Sequence, residues 1–446
     1  MSRLAFTFDP VRCTGCEACR IACATENRLP VGLGWRRVHT LNPNRHPAVP
    51  VRHLSMACNH CEVPACLAAC PAAAYTRDEA TGAVLLDQTR CLGCGYCAWV
   101  CPYGAPQLDE SNGVMSKCTF CAPRLAEGRG PACVACCPTG ALGVGPRAQG
   151  MTPVYPGVFS DGLGPALSIA EPRLPVPPET TAPPTPAGAA TVAARPVVPR
   201  RVTLATEWPL AVLTFMAAVL VAVTTAAVLG GPSVLPWWGV AGLGGGAMAV
   251  SAAHLGRKER AWRAGRQLRS SFLTLEILGF SGFLALAVAF LGMSSRAPMV
   301  GWAAVVIGAL TLVAIDRLYQ VPFHRGLPLH SALTLLAAVF LVGVLVPVPP
   351  VVVAAASVKL ALIAWRQVRR PSTVARAAVE IVRIGVGLLV PMLGVLGVIS
   401  LPNSVALGTA LLGEALDRLG FYADFAPPSP EGEMRLAFSR ALDLRH

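Results

Sequence analysis

Four groups of cysteines in the first third of this sequence follow closely related short spacings. All 17 cysteines of the 446-residue chain lie at or before Cys137. The groups open as CTGC, CNHC, CLGC and CTFC, and a proline follows the final cysteine in three of them. The sixteen cysteines that fit the spacing are Cys13, Cys16, Cys19 and Cys23; Cys58, Cys61, Cys66 and Cys70; Cys91, Cys94, Cys97 and Cys101; and Cys118, Cys121, Cys133 and Cys137. These sixteen thiols are candidate metal ligands.

This spacing suits iron–sulfur clusters better than the other uses of paired cysteines. A short loop wraps three thiolates around one [4Fe–4S] cluster, and the next cysteine points away toward a second cluster. At four ligands per cluster, sixteen cysteines predict four clusters. Zinc sites also use C-x2-C pairs, but usually as two separated pairs and often with histidine. The cysteines are also too closely spaced for a disulfide framework, which favours a reducing compartment.

One cysteine does not fit the spacing. In CVACCP, the C-x3-C-P rule is met by Cys133, Cys137 and Pro138, so Cys136 is predicted to be a non-ligand. Free cysteine often packs as a small apolar residue, and a redox role for Cys136 is the alternative.

The motifs CLGCGYCAWVCPYGAPQ and KCTFC…CVACCPTGAL resemble the electron-transfer subunit of the dimethyl sulfoxide reductase family over about residues 1–145. The resemblance implies a partner, a separate molybdopterin catalytic subunit. No pterin-binding or substrate-reducing centre is visible in the sequence, so this chain is expected to be the non-catalytic part of an oxidoreductase. The expected fold class is α+β, a ferredoxin-like four-cluster domain followed by an all-α eight-helix transmembrane bundle.

The resemblance also implies which cysteines share a cluster, because the first and fourth groups interlock in that family, as do the second and third. The implied sets, named here by their first member, are the Cys13 set (Cys13, Cys16, Cys19, Cys137), the Cys23 set (Cys23, Cys118, Cys121, Cys133), the Cys58 set (Cys58, Cys61, Cys66, Cys101) and the Cys70 set (Cys70, Cys91, Cys94, Cys97). The Cys13 set is expected to face the molybdenum subunit, and the Cys70 set to lie nearest the membrane. Cys94 stands where related nitrate reductase subunits carry tryptophan and a three-iron cluster, so four irons are expected there. Ala24 follows Cys23, where the other groups have proline.

A change in composition divides the chain into domains. Residues 1–150 form the predicted cluster domain, and residues 171–200 carry nine prolines among alanine and threonine. Such a segment lacks the apolar residues of a packed core, so residues 151–205 are predicted to be an extended linker. The long apolar runs all follow Glu207, and residues 206–425 are the predicted membrane anchor. Residues 426–446 form the predicted C-terminal tail.

The anchor is predicted to cross the bilayer eight times, because its apolar runs are each near the ~20 residues that a spanning helix needs. The predicted spans are 208–230, 234–255, 272–293, 298–318, 329–348, 350–367, 379–400 and 402–421. With eight spans, the N-terminus and the even-numbered loops share one face, and nearly all loop arginines lie on it. The second loop alone carries Arg257, Lys258, Arg260, Arg263, Arg266 and Arg269.

Positive charge on one face predicts the orientation of an inner-membrane protein. Basic loops stay in the cytoplasm, so the cluster domain is expected to face the cytoplasm. The first ten residues, MSRLAFTFDP, also lack the apolar core of a secretory signal. The competing account is that the basic loops dock onto the cluster domain. The net charge of +13 is interpreted as a topology signal, and no nucleic-acid partner is expected.

The second half resembles the membrane anchor subunit of the same reductases over about residues 205–425. The similar segments are EWPL, AAHLG, RSSFLTLEI, YQVP and DRLGFY, and polysulfide-reductase-type anchors are the nearest confusable group. The resemblance implies that His254 and Glu276 bear on the binding of a quinone, menaquinone or ubiquinone. Both residue types exchange protons, as quinol chemistry requires. The alternative is that His254 caps a helix and Glu276 pairs with a loop arginine.

These features predict an electron-transfer and anchor subunit that links membrane quinone to the molybdopterin enzyme, in either direction. Haem is not expected, because only His254, His324 and His330 fall in the anchor, all near predicted helix ends. A second hypothesis is an ion-translocating complex of the polysulfide reductase type, with Lys359 and Glu380 inside spans as the pathway. A third is an anchor without a quinone site. A structural role is favoured for both Lys359 and Glu380.

Overall fold

The computed structural model of the chain describes residues 3–147, 155–160, 162–170, 204–293, 297–320, 330–369, 374–425 and 427–443. The proline-rich segment 171–200 and His324 lie outside the described residues. Two regions can be defined, the cysteine domain (described residues 3–170) and the helical bundle (described residues 204–425). The confirmed part of the expected fold class is a domain of strands and short helices followed by a helical region.

The cysteine domain is built from short strands joined by cysteine loops. The strands are β1 (Leu4–Phe8), β2 (Arg37–Leu41), β3 (Arg52–Met56), β4 (Tyr75–Arg77), β5 (Val84–Leu86), β6 (Gln107–Asp109), β7 (Val114–Ser116), β8 (Leu142–Pro146) and β9 (Leu167–Ile169). In the main sheet β1 lies between antiparallel β8 and parallel β9, so Phe6 is opposite both Val144 and Leu167. Three two-stranded ribbons, β2–β3, β4–β5 and β6–β7, complete the described strands. Phe6 and Phe8 point into the core of this domain.

Short helices follow the cysteine loops. They are α1 (Ala18–Glu26), α2 (Ala65–Ala69), α3 (Tyr96–Val100), α4 (Ala122–Ala126) and α5 (Ala132–Ala135). Three of them begin after a residue with positive φ, namely Glu17, Gly95 and Cys121. A left-handed residue reverses the chain within one position, which lets a C-x2-C loop close before the helix starts. Cys23, the final cysteine of the first group, lies on α1, and Cys133, the third cysteine of the fourth group, lies on α5.

The helical bundle has a helix at each of the eight predicted spans. Its helices are α6 (Leu204–Val228), α7 (Trp237–Ala252), α8 (Phe272–Gly292), α9 (Pro298–Leu318), α10 (Thr334–Leu345), α11 (Pro349–Arg369), α12 (Val374–Ile384), α13 (Val390–Val395) and α14 (Asn403–Asp424), with a 3₁₀ helix at Lys258–Gly265 and a π-helix at Gly385–Leu389. Within the described residues, five helical segments are long and apolar enough to cross a membrane: Leu204–Val228, Phe272–Gly292, Pro298–Leu318, Pro349–Gln367 and Ala378–Val395. Helix α7, with 16 residues, is about 24 Å long, less than the ~30 Å bilayer core. The count of eight spans therefore stays a prediction.

Helix α6 is the centre of the bundle. It packs against α7, α9, α10 and α14, and its residues Ala217, Leu220 and Ala222 are fully buried. Small residues let the helices approach closely, as bilayer helices commonly do. A Cβ at Gly308 of α9 would meet the side chains of Phe283 and Val221.

The two regions are packed against each other. Ala69, Tyr96 and Trp99 of the cysteine domain belong to the same apolar core as the bundle helices. The glycine backbones of Gly93 and Gly113 also meet Gly256 so closely that a Cβ on any of the three would collide. The helices that follow two of the cysteine loops are therefore held directly against the bundle.

The basic second loop of the anchor, residues 253–271, is the docking loop, and it contacts the cysteine domain through hydrogen bonds. Arg260 donates to the carbonyls of Gln88 and Cys91, and Arg263 donates to the carbonyl of Thr89. Ser270 and Ser271 donate to the carbonyls of Ala68 and Ala69 at 2.9 Å. Docking therefore accounts for part of this positive charge, as the competing account of the basic loops expected.

The C-terminal segment returns to the cysteine domain as one more helix, α15 (Pro430–Asp443). This helix packs on β2, with His39 Nδ1 and Glu431 Oε1 3.8 Å apart. Met434 is 2% exposed and lies in the core of the cysteine domain. The two ends of the bundle thus lead into the same domain.

Candidate metal centres

The Cys13 set surrounds one cavity. Its lining includes all four members of the set, with Gly15 and Thr139 beside them. Gly15 has a φ of +74°, and a Cβ there would run into the ring of His53. Glycine is needed at this turn because it adopts the left-handed conformation and leaves room for the imidazole. The loop after Cys13 and the distant Cys137 are thereby brought to the same cavity.

The Cys58 set lines a second cavity in the same way. The wall of this cavity contains Cys58, Cys61, Cys66 and Cys101, together with His60 and Lys117. His60 Nδ1 accepts a hydrogen bond from the Val84 N–H at 3.0 Å, so a neutral His60 carries its proton on Nε2. That Nε2 is buried and has no hydrogen-bond partner within the described residues. The side chain therefore leaves an unsatisfied donor beside a wall of thiols.

For the Cys23 and Cys70 sets, the structure shows which thiols lie close enough for their charges to interact. Cys118 lies close enough to Cys23 and Cys133 for their charges to interact, and Cys121 is similarly close to Cys133. In the remaining set, the neighbours of Cys94 are Cys70 and Cys91, and those of Cys97 include Cys94 and Cys70. The four sets overlap at their edges, since Cys118 also interacts with Cys58 and Cys97 with Cys66. The thiols therefore form a chain of neighbouring groups.

Burial keeps many of these thiols protonated in the absence of metal. Loss of hydration raises the pKa of Cys23 to about 12, with the nearby Cys133 as the next cause. Burial also raises the pKa of Cys66, Cys97 and Cys118. A metal centre at these positions has to displace protons and supply the positive charge that stabilises thiolates.

These residues fit an iron–sulfur centre. The donors in each set are all cysteine sulfurs, the ligands that hold such clusters. Residues within the described ranges form no group of three or more His, Cys, Asp or Glu side chains that could hold one metal ion. A four-iron cluster is a larger body than one ion, and its four thiolates each bind a different iron.

Cys136 lies apart from the cavity of the Cys13 set. It is exposed, follows α5, and does not line the cavity that Cys137 enters. The backbone N–H of Cys136 donates to the Ala132 carbonyl at 3.1 Å, which ends the helical turn.

The two candidate quinone residues differ in their surroundings. His254 is half-buried, and its Nδ1 contacts the Ser251 carbonyl at the end of α7. Glu276, in the second turn of α8, is 2% exposed, and its Oε1 has no hydrogen-bond partner within the described residues. The described part of the chain shows no contact between these two side chains. Arg418 is near enough for its charge to act on Glu276.

An aromatic cluster at the junction of the two regions was not predicted from the sequence. Trp99, between Cys97 and Cys101, packs on Tyr319 at a centroid distance of 5.8 Å and on Phe425 at 5.7 Å. Tyr96 donates to the Leu318 carbonyl at 3.1 Å. Glu276 is near enough to Tyr96 and Tyr319 for its charge to act on both hydroxyls. The available signal was the pair of large aromatic residues inside the cysteine motif CGYCAWVC.

Lys359 and Glu380, the two charged residues predicted inside the sixth and seventh spans, belong to one buried ionic network. Lys359 Nζ lies 3.0 Å from the carboxylates of both Glu414 and Asp417 on α14. Asp417 also accepts from Arg383 at 2.8 Å. Glu380 contacts Arg383 and Arg366, so Lys359 and Glu380 have different direct partners. These partners link α11, α12 and α14 in the interior of the bundle.

Comparison with known proteins supports the iron–sulfur interpretation. Residues 49–147 match the family model of the 4Fe-4S dicluster domain. One chain of the anaerobic dimethyl sulfoxide reductase of Escherichia coli is 42% identical over 153 residues, which is 32% of this chain and 74% of that protein. The thiosulfate reductase electron transfer subunit of Salmonella typhi is 41% identical over 140 residues, 31% of this chain and 72% of that protein. One subunit of the sulfite dehydrogenase of Allochromatium vinosum is 36% identical over 162 residues, 32% of this chain and 68% of that protein.

Proposed function

This protein belongs to the family of iron–sulfur subunits of the dimethyl sulfoxide reductases, and from that premise we propose its specific role. It is an electron-transfer subunit joined to its own membrane anchor, and it passes electrons between membrane quinone and a separate molybdopterin oxidoreductase. One observation carries this proposal. In the series of cysteine sets, the Cys70 set lies beside the helical bundle. Its member Cys97 is on the same helix as Tyr96 and Trp99, and both of these aromatic side chains pack into the core of the bundle.

Four [4Fe–4S] clusters would be held by the Cys13, Cys23, Cys58 and Cys70 sets. Bound there, they supply one-electron carriers in series. The sulfur neighbours within each set support these assignments, as does the all-thiol lining of two cavities. The protein's own contribution is to hold successive sets against one another and to exclude water from most of their thiols. Cys136 is a non-ligand in this assignment.

The quinone site is proposed beside Glu276, near the end of the bundle that faces the cysteine domain. A quinone needs an apolar slot and a group that exchanges protons. Glu276 offers an unpartnered buried carboxyl oxygen, and Tyr319 and Trp99 offer aromatic faces close to the Cys70 set. His254, at the end of α7, is the second proton-exchanging group of the proposal. Menaquinone and ubiquinone both satisfy this chemistry, and no haem is required between quinone and cysteine set.

Cluster reduction by quinol in membranes that contain the full-length chain tests the quinone site. Glu276→Gln removes the proton-exchanging group with little change in volume, and we expect the rate to fall at least tenfold. The control is Glu259→Gln, since Glu259 is exposed on the docking loop. Retention of quinol oxidation in both His254→Arg and Glu276→Lys would show that the site is wrongly assigned. An anchor without a quinone site would show no inhibitor effect on cluster reduction.

Eight spans with the cysteine domain in the cytoplasm complete the proposal for an inner-membrane protein. Helix α15 follows α14 and packs on β2 of the cysteine domain, which supports an even number of crossings. The helices at all eight predicted positions support the same count. A reporter fused after His446 tests the side, and external activity of that reporter would reverse the orientation.

The terminal reaction lies in the partner subunit. Relatives are named for dimethyl sulfoxide reductase, thiosulfate reductase and sulfite dehydrogenase. Quinol-driven reduction of an S- or N-oxide is the first form of the proposal, and sulfite oxidation with reversed electron flow is the second. Co-purification identifies the catalytic subunit, and isolation of a partner without molybdopterin would contradict both forms.

The buried ionic network supports ion translocation as a second candidate function. From Arg366 and Glu380 it passes through Arg383 and Asp417 to Lys359 near the middle of α11. A π-helix begins at Gly385, two residues after Arg383, and such irregular turns are frequent at functional sites. This function predicts that Lys359→Ala abolishes quinol-driven proton uptake or release across the membrane while electron transfer continues. An unchanged proton gradient would leave the network with a structural role.

A further inference from the structure

Arg36 is a buried cation without an anionic side-chain partner. It is 2% exposed, directly precedes the β2 strand, and packs its guanidinium over the ring of Phe6 at 4.7 Å. Among the described residues it forms no ion pair with a carboxylate. Its Nη1 donates to the Ser55 carbonyl at 3.3 Å and to Ser55 Oγ at 3.1 Å, and its Nε has no hydrogen-bond partner within the described residues.

The contact with Ser55 connects Arg36 to a cysteine. Ser55 Oγ lies 3.3 Å from Cys19 Sγ, so the hydroxyl accepts from Arg36 and is free to donate its own proton to that sulfur. The thiols close enough to interact with the guanidinium charge are Cys19 of the Cys13 set and Cys23, Cys118 and Cys133 of the Cys23 set. Arg36 therefore lies where these two sets adjoin.

Lys117 is a second buried cation that lies between two neighbouring cysteine sets. It is 3% exposed and contacts two backbone carbonyls, those of Val84 and Cys118. Its side chain lines the cavity of the Cys58 set, and its charge acts on Cys66. The described residues give it no carboxylate partner. Lys117 thus lies between the Cys23 set, which contains Cys118, and the Cys58 set.

Two buried cations without anions call for a compensating negative charge. Burial of an unpaired charge is strongly unfavourable, and buried arginine and lysine are normally paired. Backbone carbonyls and a hydroxyl bring partial charges only. An iron–sulfur cluster with four thiolates carries a net negative charge of about −2 when oxidised and about −3 when reduced. The clusters at these sets are anions of the required sign on both sides of each cation.

We propose that Arg36 and Lys117 are internal counter-charges that favour the reduced forms of the clusters on either side of them. A positive charge in a medium of low dielectric stabilises the added electron, so each cation raises the reduction potential of its two neighbouring clusters. Arg36 acts on the Cys13 and Cys23 sets, and Lys117 acts on the Cys23 and Cys58 sets. Neither cation has a described contact or charge interaction with Cys70, Cys94 or Cys97, so the other three sets are biased toward reduction relative to the Cys70 set.

A purely structural role would anchor β2 through Ser55 and would need hydrogen-bond donors rather than a charge. The two roles are separated by potentiometric EPR titration of all four clusters in membranes that contain the full-length chain. Arg36→Gln keeps donors and removes the charge. Arg36→Lys keeps the charge and loses the planar guanidinium. Arg37→Gln, at the exposed neighbouring residue, is the matched control.

In Arg36→Gln we expect two of the four reduction equilibria to shift at least tenfold against reduction, which is about 59 mV for one electron. The other two equilibria should keep their wild-type values. Arg36→Lys should restore most of the shift, and Arg37→Gln should move none of the equilibria. If Arg36→Gln loses clusters, iron content is measured in place of the reduction potentials. Arg36→Lys should then restore the iron content, because retained charge alone should restore cluster assembly.

Lys117→Gln sharpens the test through its pattern. It should shift two equilibria, of which one is shared with Arg36→Gln and one is new, and a cluster that neither variant affects should remain. Unshifted potentials in both Gln variants with full iron content would overturn the proposal. Equal shifts in Arg36→Lys and Arg36→Gln would also overturn it, because geometry and not charge would then be responsible.

The inference depends on the proposed cluster assignment but not on the quinone site. The titrations use chemical reductants and mediators, so they remain valid if Glu276→Gln leaves quinol oxidation unchanged. Conversely, quinol can reduce the clusters through the proposed site even if Arg36→Gln moves no potential. The two proposals therefore fail separately.

Discussion

Two buried cations, Lys359 in the helical bundle and Arg36 in the cysteine domain, have opposite kinds of partner. In the bundle, Lys359 is 3% exposed and lies 3.0 Å from each of two carboxylates. In the cysteine domain, Arg36 is equally buried, yet its described contacts are a hydroxyl, a carbonyl and an aromatic ring. A bundle neutralises its charges with side chains because lipid offers no counter-ion. The cysteine domain has thiols at the corresponding places, and its neutrality depends on bound clusters.

Removal of iron should produce the largest difference between the two regions. After oxidative chelation, buried thiols and two cations lose their counter-charges, so the cysteine domain should lose its cooperative fold, whereas the bundle should remain helical. Limited proteolysis should then cut within residues 3–147 and spare α6, while far-UV circular dichroism retains most of the helical signal. The untreated protein, handled identically, is the control. A protease-resistant iron-free cysteine domain would show that its buried charges are balanced without clusters.

Loss of one cation from the bundle network should have the next largest effect. Lys359→Met leaves Glu414 and Asp417 buried with one fewer partner, and we expect the free energy of unfolding to fall by about 3–5 kcal/mol. Thermal unfolding of the purified protein in detergent measures the loss. Lys258→Met, at an exposed position on the docking loop, should change stability by less than about 0.5 kcal/mol. Equal stability of the two variants would mean that the ionic network does not contribute to the free energy of unfolding.

Adjacent cysteines give a test within the cysteine domain. Cys137→Ala should lose a cluster or convert it to three irons, and so lower iron content by about one to four atoms of about sixteen. Cys136→Ala should retain all of them, since Cys136 is exposed and outside the cavity. Iron analysis together with EPR measures both results. If Cys136→Ala lost iron and Cys137→Ala did not, Cys136 would have to take the place of Cys137 in the Cys13 set.

The contact between the regions should show the smallest effect. Tyr96→Phe removes the hydrogen bond to the Leu318 carbonyl but keeps the ring, at a cost of about 1 kcal/mol. Tyr103→Phe is a comparison inside the cysteine domain, where the hydroxyl contacts the Phe159 carbonyl. Thermal unfolding is monitored separately for the two regions. The two regions should stop unfolding together only in Tyr96→Phe. Equal loss of coupling in both variants would mean that this hydrogen bond does not specifically join the regions.

Local spacing made much of the cysteine domain predictable. The distance between Cys91 and Cys94 is set by a short loop, so the sequence alone predicts iron–sulfur ligands, and the family match confirms that chemistry. Apolar runs likewise predicted a helix at every proposed span, because length and hydropathy are local properties. The α15 helix was only a tail in the sequence interpretation, since its short apolar face has a partner only after β2 is folded.

The functional surroundings were less predictable for the same physical reason. Lys359 was recognised as unusual, but its partners lie 55 and 58 residues away on α14. Glu380, the other charged residue predicted inside a span, is contacted by arginines on α11 and α12 and not by Lys359. Which ionic groups meet depends on how the helices are rotated and offset against each other. Periodicity within one helix does not specify this.

By itself, the sequence determined the ligand type, the division into a cysteine-rich and an apolar half, and the family of the protein. These properties follow from spacing and hydropathy, which act over one loop or one helix. Only the tertiary structure decided that Arg36 reaches Cys19 through Ser55, that Trp99 enters the core of the bundle, and that the buried cations of the two halves have different partners. Such contacts join residues far apart in the chain, and close packing alone selects them.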